Sequence, residues 1–367
     1  MPLLFLSTNE RPRAAYEAEN SMSANPFITA RRQPLSLSQA NVVNTSSLPG
    51  NEAAFPLVFS PAIGDVSLAS WAAQNRAQVE QELLRHGALL FRGFTIGGVT
   101  GFEQFARAVS SDLLNYRERS SPRSEVMAGV YTSTDYPANQ SIHFHNEQSY
   151  THSWPMKLYF FCVTPASEGG ATPIADGRKV LAQLDSRLKQ QFIDKRVMYV
   201  RNYGHGMGLD WQTAFQTTSM SEVEKYCRQN SISCEWKDNG CLRTRQLFDT
   251  IVRHPKTNEE LWFEHAAFFH VTSLEREVRD SLLVEFKPED LPFNTYYGDG
   301  SVIEDSVLEE IRDTYNRTAT RFDWREGDVL LIDNMLTSHA RDPFSGPRKI
   351  VVAMAELYPS PNSEVVK

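Results

Sequence analysis

The sequence predicts a β-rich α+β fold: a double-sheet jelly-roll core with flanking helices and a long insertion between core strands. Three observations predict it. Apolar runs of strand length stand at residues 88–94, 157–163, 329–333 and 349–354. Glycine turns such as Gly169-Gly170 and stretches of helical period separate them. No Gly-x-Gly-x-x-Gly follows a strand, so a doubly wound dinucleotide fold has no support.

Residues 1–52 are rich in Ser, Asn, Ala and Pro without periodicity, and read as an arm, partly disordered or draped over the rest. Residues 53–367 read as one domain. The globular part starts near Phe55. Leu68, Trp71, Val79, Leu83 and Leu84 then predict a helix over 68–86 that stops at His86-Gly87. The run 88–94 is a buried strand and 100–113 a second helix. Residues 141–150 alternate as a strand, 157–163 form a strongly apolar one, and 171–175 a short one after Gly169-Gly170. Helices are predicted at 178–193, 221–229 and 303–317. The mixed stretch 176–325 reads as an insertion or lid. Residues 329–333 and 349–354 are core strands flanking His339.

Composition excludes several classes. The chain has 367 residues, 41% hydrophobic and 22% charged, enough for a sizeable core. A net charge of -8 argues against a nucleic-acid partner. No run approaches eighteen apolar residues, so no membrane span is expected. Met1 to Ser7 lacks the basic start and apolar length of a signal peptide. Cys162, Cys227, Cys234 and Cys241 contain no Cys-x-x-Cys pair and read as reduced thiols. A cytoplasmic setting is therefore expected.

The chemistry concentrates in His145 and Glu147, from Ile142-His143-Phe144-His145-Asn146-Glu147, and in His339, from Asp333-Asn334-Met335-Leu336-Thr337-Ser338-His339. Two histidines and one carboxylate on one face of a metal are the ligand set of non-haem Fe(II) oxygenases. On a strand, His145 and Glu147 share a face. His143 shares it too, but would leave the carboxylate four residues away, too far along an extended chain. Each residue alone has an ordinary structural reading, and the ligand set alone also suits a zinc hydrolase. Three ligands leave room on an octahedral iron for 2-oxoglutarate and O2. The far carboxylate of that cosubstrate needs a cation and a donor. Arg348 can supply a bidentate fork and Thr172 a hydroxyl.

These residues resemble the taurine dioxygenase / clavaminate synthase superfamily of Fe(II)- and 2-oxoglutarate-dependent oxygenases. The resemblance is carried by Phe91-Arg92-Gly93-Phe94, the His145–Glu147 block, Gly169-Gly170-Ala171-Thr172, Trp324-Arg325-Glu326-Gly327-Asp328, Asp333-Asn334, and His339 through Arg348, over roughly residues 55–358. The chain looks most similar to the branch of bacterial antibiotic pathways, like the syringomycin-pathway aspartyl hydroxylase. The resemblance implies a double-stranded β-helix, Fe(II) on His145, Glu147 and His339, and 2-oxoglutarate on Thr172 and Arg348. It also implies hydroxylation of an amino-acid-like substrate, free or on a peptidyl carrier protein.

The chain departs from its relatives at three places. Val352 stands where taurine dioxygenase has a second arginine, which argues against sulfonate substrates. Glu147 fills the position that halogenases of this superfamily leave to Gly or Ala, which argues against halogenation. Glu264-His265 follows Trp262-Phe263 where relatives often show Asn-Gln, and marks either a changed substrate pocket or a changed surface. Arg243, Arg245 and Arg341 are candidates for a substrate carboxylate or the pocket wall. Desaturase, epimerase or ring-forming chemistry on the same centre, and a binding protein without turnover, stay open as alternatives.

Overall fold

The computed structural model describes residues 42–51, 53–114, 125–133, 136–204 and 208–359. An eight-stranded sheet forms the spine. Its order is Val43–Ser46, Leu57–Pro61, Ala88–Phe91, Val329–Asp333, Ser153–Thr164, Lys349–Pro359, Val130–Thr132 and Glu125–Met127. Within this sheet, among the described residues, only the Leu57–Pro61 and Ala88–Phe91 pair is parallel.

The central strands are apolar along their length because both faces are covered. In Ser153–Thr164 the period of two sends Tyr159 and Phe161 into one core with Phe91, Phe102 and Phe105. That core also takes Leu68, Leu83 and Val109 from the helices Leu68–Gln74, Arg76–His86 and Gly98–Val109. The alternate residues Leu158, Phe160 and Cys162 enter a second core with Ile174, Ile332 and Val352. There a three-stranded sheet packs against the spine, with Thr337–Arg341 between Ile142–His145 and Ile174–Asp176.

Several boundaries differ from the sequence expectation for local reasons. The helix over 68–86 is two helices, because Asn75 leaves helical geometry and its side chain donates to Trp71 O. The stop at Gly87 is as expected. Its φ is +76°, and a Cβ there would lie 2.8 Å from Thr337 Oγ1. The helix over 178–193 is also two, Gly177–Gln183 and Ser186–Lys195, since the Asp185 carboxylate caps the second. The short strand after Gly169-Gly170 begins at Ile174, beyond Pro173, which has no N–H for a ladder. Part of the predicted arm belongs to the sheet: Val43–Ser46 pairs with Leu57–Pro61. Residues 1–41 lie outside the described residues.

The 176–325 stretch carries a four-stranded sheet, ordered Ser233–Trp236, Leu242–Phe248, Val197–Tyr203 and Phe293–Tyr297. It shares a core with the site strands. Tyr199, Phe269 and Tyr315 cluster with Phe144 and Ala340, and the Phe144 and Tyr315 rings stack at 5.2 Å.

Candidate metal centre

The register of the small sheet makes His339 the direct cross-strand partner of His145. Their ring centroids are 4.4 Å apart. Ligand atoms of His145, Glu147 and His339 lie within 4.8 Å of one another, and all three residues are buried. Donors each about 2 Å from one ion lie within about 4 Å of one another, so small side-chain rotations close this set. The tautomer of His145 also fits. Its Nδ1 lies 2.8 Å from His143 O, and a carbonyl only accepts, so Nδ1 carries the hydrogen. In the neutral ring Nε2 then keeps its lone pair for a metal. Two imidazoles and a carboxylate suit iron in this arrangement.

Glu147 reaches the group by a different route from the one expected. The strand ends at His145, and Glu147 stands in the turn that follows, before Gln148 at φ +57°. The turn is bonded to Asn334: the Glu147 N–H donates to Asn334 Oδ1 at 2.8 Å. His143 is outside the group. Its Nε2 lies 3.0 Å from Ser273 O.

Behind the triad, one pocket is lined by Thr172, Arg348, Arg341, Phe160, Ile350 and Val352, together with His145, Glu147 and His339. Arg348 donates from Nε to Gly170 O at 2.9 Å and lies 3.4 Å from Thr172 Oγ1. A Cβ on Gly170 would come within 3.0 Å of Arg348 Cδ, so glycine lets the arginine pass. Burial pushes the Arg348 guanidinium down to about 10, helped by the neighbouring Arg341 cation. Among the described residues it has no carboxylate partner. Trp324 Nε1 donates to Thr172 Oγ1 at 3.0 Å. An indole only donates, so the hydroxyl is left its own hydrogen to give to an anion. Trp324 lay in a quoted motif, but sequence reasoning gave it no role.

Of the three arginines suggested for substrate, two fall outside the triad's pocket and one lines it. Arg243 is buried in the four-stranded sheet, bonded to Asn202 Oδ1 and paired with Asp290 and Glu289. Arg245 pairs with Glu235 on the neighbouring strand. Neither lines the triad's pocket. Period two places them on one strand, but says nothing of acids that arrive from distant sequence. Arg341 does line the pocket, yet its guanidinium donates to the carbonyls of Tyr136, Pro137 and Gln140. Those bonds hold the loop, while Arg341 Nε is buried with no hydrogen-bond partner among the described residues.

Glu264 and His265 are both buried, which removes the surface alternative. The His265 ring lies 5.0 Å from that of His145, and Nδ1 faces Asn146 O at 3.3 Å. Burial, with His145 close by, holds its imidazole well below the ordinary range and therefore neutral. Tyr315 Oη donates to Glu264 Oε1, and burial raises that carboxyl. Phe268 stacks on His145 at 5.1 Å. Only the departure at 264–265 from the resembling sequences signalled these groups.

A family model described as "Taurine catabolism dioxygenase TauD, TfdA family" matches residues 50–354. The chain is 42% identical over 283 residues to the dapdiamide synthesis protein DdaC of Enterobacter agglomerans, covering 77% of this chain and 86% of that one. It is 25% identical over 322 residues to a clavaminate synthase-like protein of Arabidopsis thaliana, covering 82% and 94%. Among solved structures it is similar in fold to PvcB of Pseudomonas aeruginosa, with a TM-score of 0.52 at 16% identity over 85% of this chain and 90% of that one. A second PvcB structure, titled as an Fe, alpha-ketoglutarate dependent oxygenase from an isonitrile synthetic pathway, gives 0.53 at 15% identity over 87% and 94%.

Proposed function

The chain belongs to the TauD/TfdA family and is a dioxygenase, and from that premise we propose that it hydroxylates an unactivated C–H of an amino-acid-like small molecule in a biosynthetic pathway. Its cofactors are Fe(II), 2-oxoglutarate and O2. One observation carries the reading: a two-histidine, one-carboxylate group lines the same pocket as an arginine with no carboxylate partner among the described residues. The biosynthetic setting is supported by the likeness to a dapdiamide synthesis protein. The paired sheets are read as a double-stranded β-helix, in keeping with the fold neighbours.

In this proposal His145, Glu147 and His339 hold the metal, and Thr172 and Arg348 hold the cosubstrate. Bound there, Fe(II) with 2-oxoglutarate and O2 supplies the oxidising power, yielding succinate, CO2 and the alcohol. The protein does the rest. His143 O fixes the His145 ring. Arg348 stays charged at neutral pH and forks onto the distal carboxylate, with the Thr172 hydroxyl beside it. Phe160, Ile350 and Val352 keep water from that end. Phe268, from the 176–325 region, covers His145, so this region is proposed to close over the site. No helix among the described residues is long and apolar enough to cross a membrane. A cytoplasmic location and a peptidyl carrier protein as partner are part of the proposal.

The test is succinate release from 2-oxoglutarate with Fe(II), across amino acids and carrier-bound aminoacyl groups. A product heavier by one oxygen supports hydroxylation, and one lighter by two hydrogens makes the protein a desaturase. Equal 2-oxoglutarate consumption by wild type and His339→Ala would sink the metal assignment.

A further inference from the structure

We infer that Asn334 is a positioning residue that locks the turn carrying Glu147 to the loop leading into the strand that carries His339. The inference rests on reading His145, Glu147 and His339 as the metal site. Asn334 is wholly buried. Its Oδ1 accepts the Glu147 N–H at 2.8 Å, and its Nδ2 donates to Glu147 O and to Pro155 O, both at 2.9 Å. The amide orientation follows from its partners: one N–H needs an acceptor, and two carbonyls need donors. A single side chain thus holds both backbone polar groups of Glu147.

A second set of bonds closes the circuit. Asn146 Nδ2 donates to Asn334 O at 2.7 Å, and Ser338 Oγ donates to Asn146 Oδ1 at 3.0 Å. Ser338 immediately precedes His339, and Asn146 lies between His145 and Glu147. The ligand-bearing segments are therefore tied to each other before any ion arrives. Glu147 needs this more than either histidine does, since both histidines sit in paired strands and Glu147 does not. Asn334 touches no ligand atom in this scheme. It acts by fixing the peptide from which the carboxylate hangs, and so removes an ordering cost from metal binding.

Asn334→Asp is nearly isosteric and exchanges both donors for an acceptor facing two carbonyls. Asn334→Ala frees the turn. Thr337→Val is the structural control: it removes one buried bond on the strand that carries His339, Thr337 Oγ1 to Gly87 O at 2.9 Å, outside the circuit. The readout is equilibrium Fe(II) affinity, measured anaerobically by chelator competition, alongside thermal midpoint and near-UV dichroism. Both Asn334 variants should bind Fe(II) about 10- to 100-fold more weakly. Ser338→Ala should lose a few-fold, and Thr337→Val should stay within about twofold of wild type despite a lower midpoint.

Folded Asn334 variants with wild-type affinity would overturn the inference. So would an equal loss in Thr337→Val, which would make the effect one of general stability. If the Asn334 variants do not fold, Ser338→Ala decides by the same affinity criterion. Failure of the wild-type protein to bind Fe(II) overturns the metal reading itself and this inference with it. Normal wild-type binding with unaffected variants overturns the inference alone.

Discussion

Arg243 is buried and Arg348 half-buried, in opposite company. Arg243 enters the four-stranded sheet and meets Asn202, Glu289 and Asp290 from its own chain. Arg348 enters the pocket behind the triad and meets Gly170 O, the Thr172 hydroxyl and the Phe344 ring, with no carboxylate among the described residues. A buried cation neutralised internally stiffens a fold. One left without an anion is disposed to bind one. The pair separates a structural region from a receptor region more sharply than sequence motifs do.

The largest expected contrast comes from truncating each. Arg348→Ala should weaken 2-oxoglutarate binding by about two orders of magnitude, with little change in Fe(II) affinity. Equal losses of both affinities would place Arg348 in the fold rather than the receptor. Arg243→Ala should do the reverse: calorimetry should show a loss of about 1–3 kcal/mol in stability, moderated because Asp290 is partly solvated. Its 2-oxoglutarate affinity should match wild type.

Smaller effects sharpen the boundary. Thr172→Val keeps the shape but removes the hydroxyl, and should cost roughly tenfold in cosubstrate affinity by titration calorimetry. Trp324→Phe, which only orients that hydroxyl, should cost roughly threefold. The reverse order would mean that the indole touches the cosubstrate itself.

The structural region also predicts a pH dependence. Burial, with Arg312 beside it, pushes His270 down to about 4. Between about 4 and the ordinary imidazole value the unfolded chain binds the extra proton, so stability rises with pH there. It is lost as pH falls through that window, by about 3 kcal/mol at most. His270→Gln should flatten the slope of unfolding free energy between pH 6.5 and 4. An unchanged slope would mean that His270 is protonated in the folded state.

Much of this was legible in the sequence, and the misses have physical causes. The strand residues around His145, His339 and Arg348 announce themselves, because apolar runs bracket them and strands repeat with period two. Glu147 was chosen for a strand face it does not occupy. Its turn is bonded to Asn334, 187 residues away, and no local pattern carries that. The ion pairs of Arg243 were hidden for the same reason, since its acids lie 46 and 47 residues on. Breaks at Asn75 and Asp185 were hidden because apolar period outlasts one interrupted turn, whereas the Gly87 stop was visible because few other residues take φ +76°.

The most direct measurement is an anaerobic titration of the Fe(II)-loaded protein with 2-oxoglutarate, followed by the weak visible charge-transfer band that bidentate chelation produces. Wild type should develop the band and saturate. His339→Ala should show none, and Arg348→Ala should reach the same band only at about a hundredfold higher cosubstrate. A wild-type protein without the band at saturating 2-oxoglutarate, or three proteins with the same titration curve, would contradict a cosubstrate pocket built from these residues.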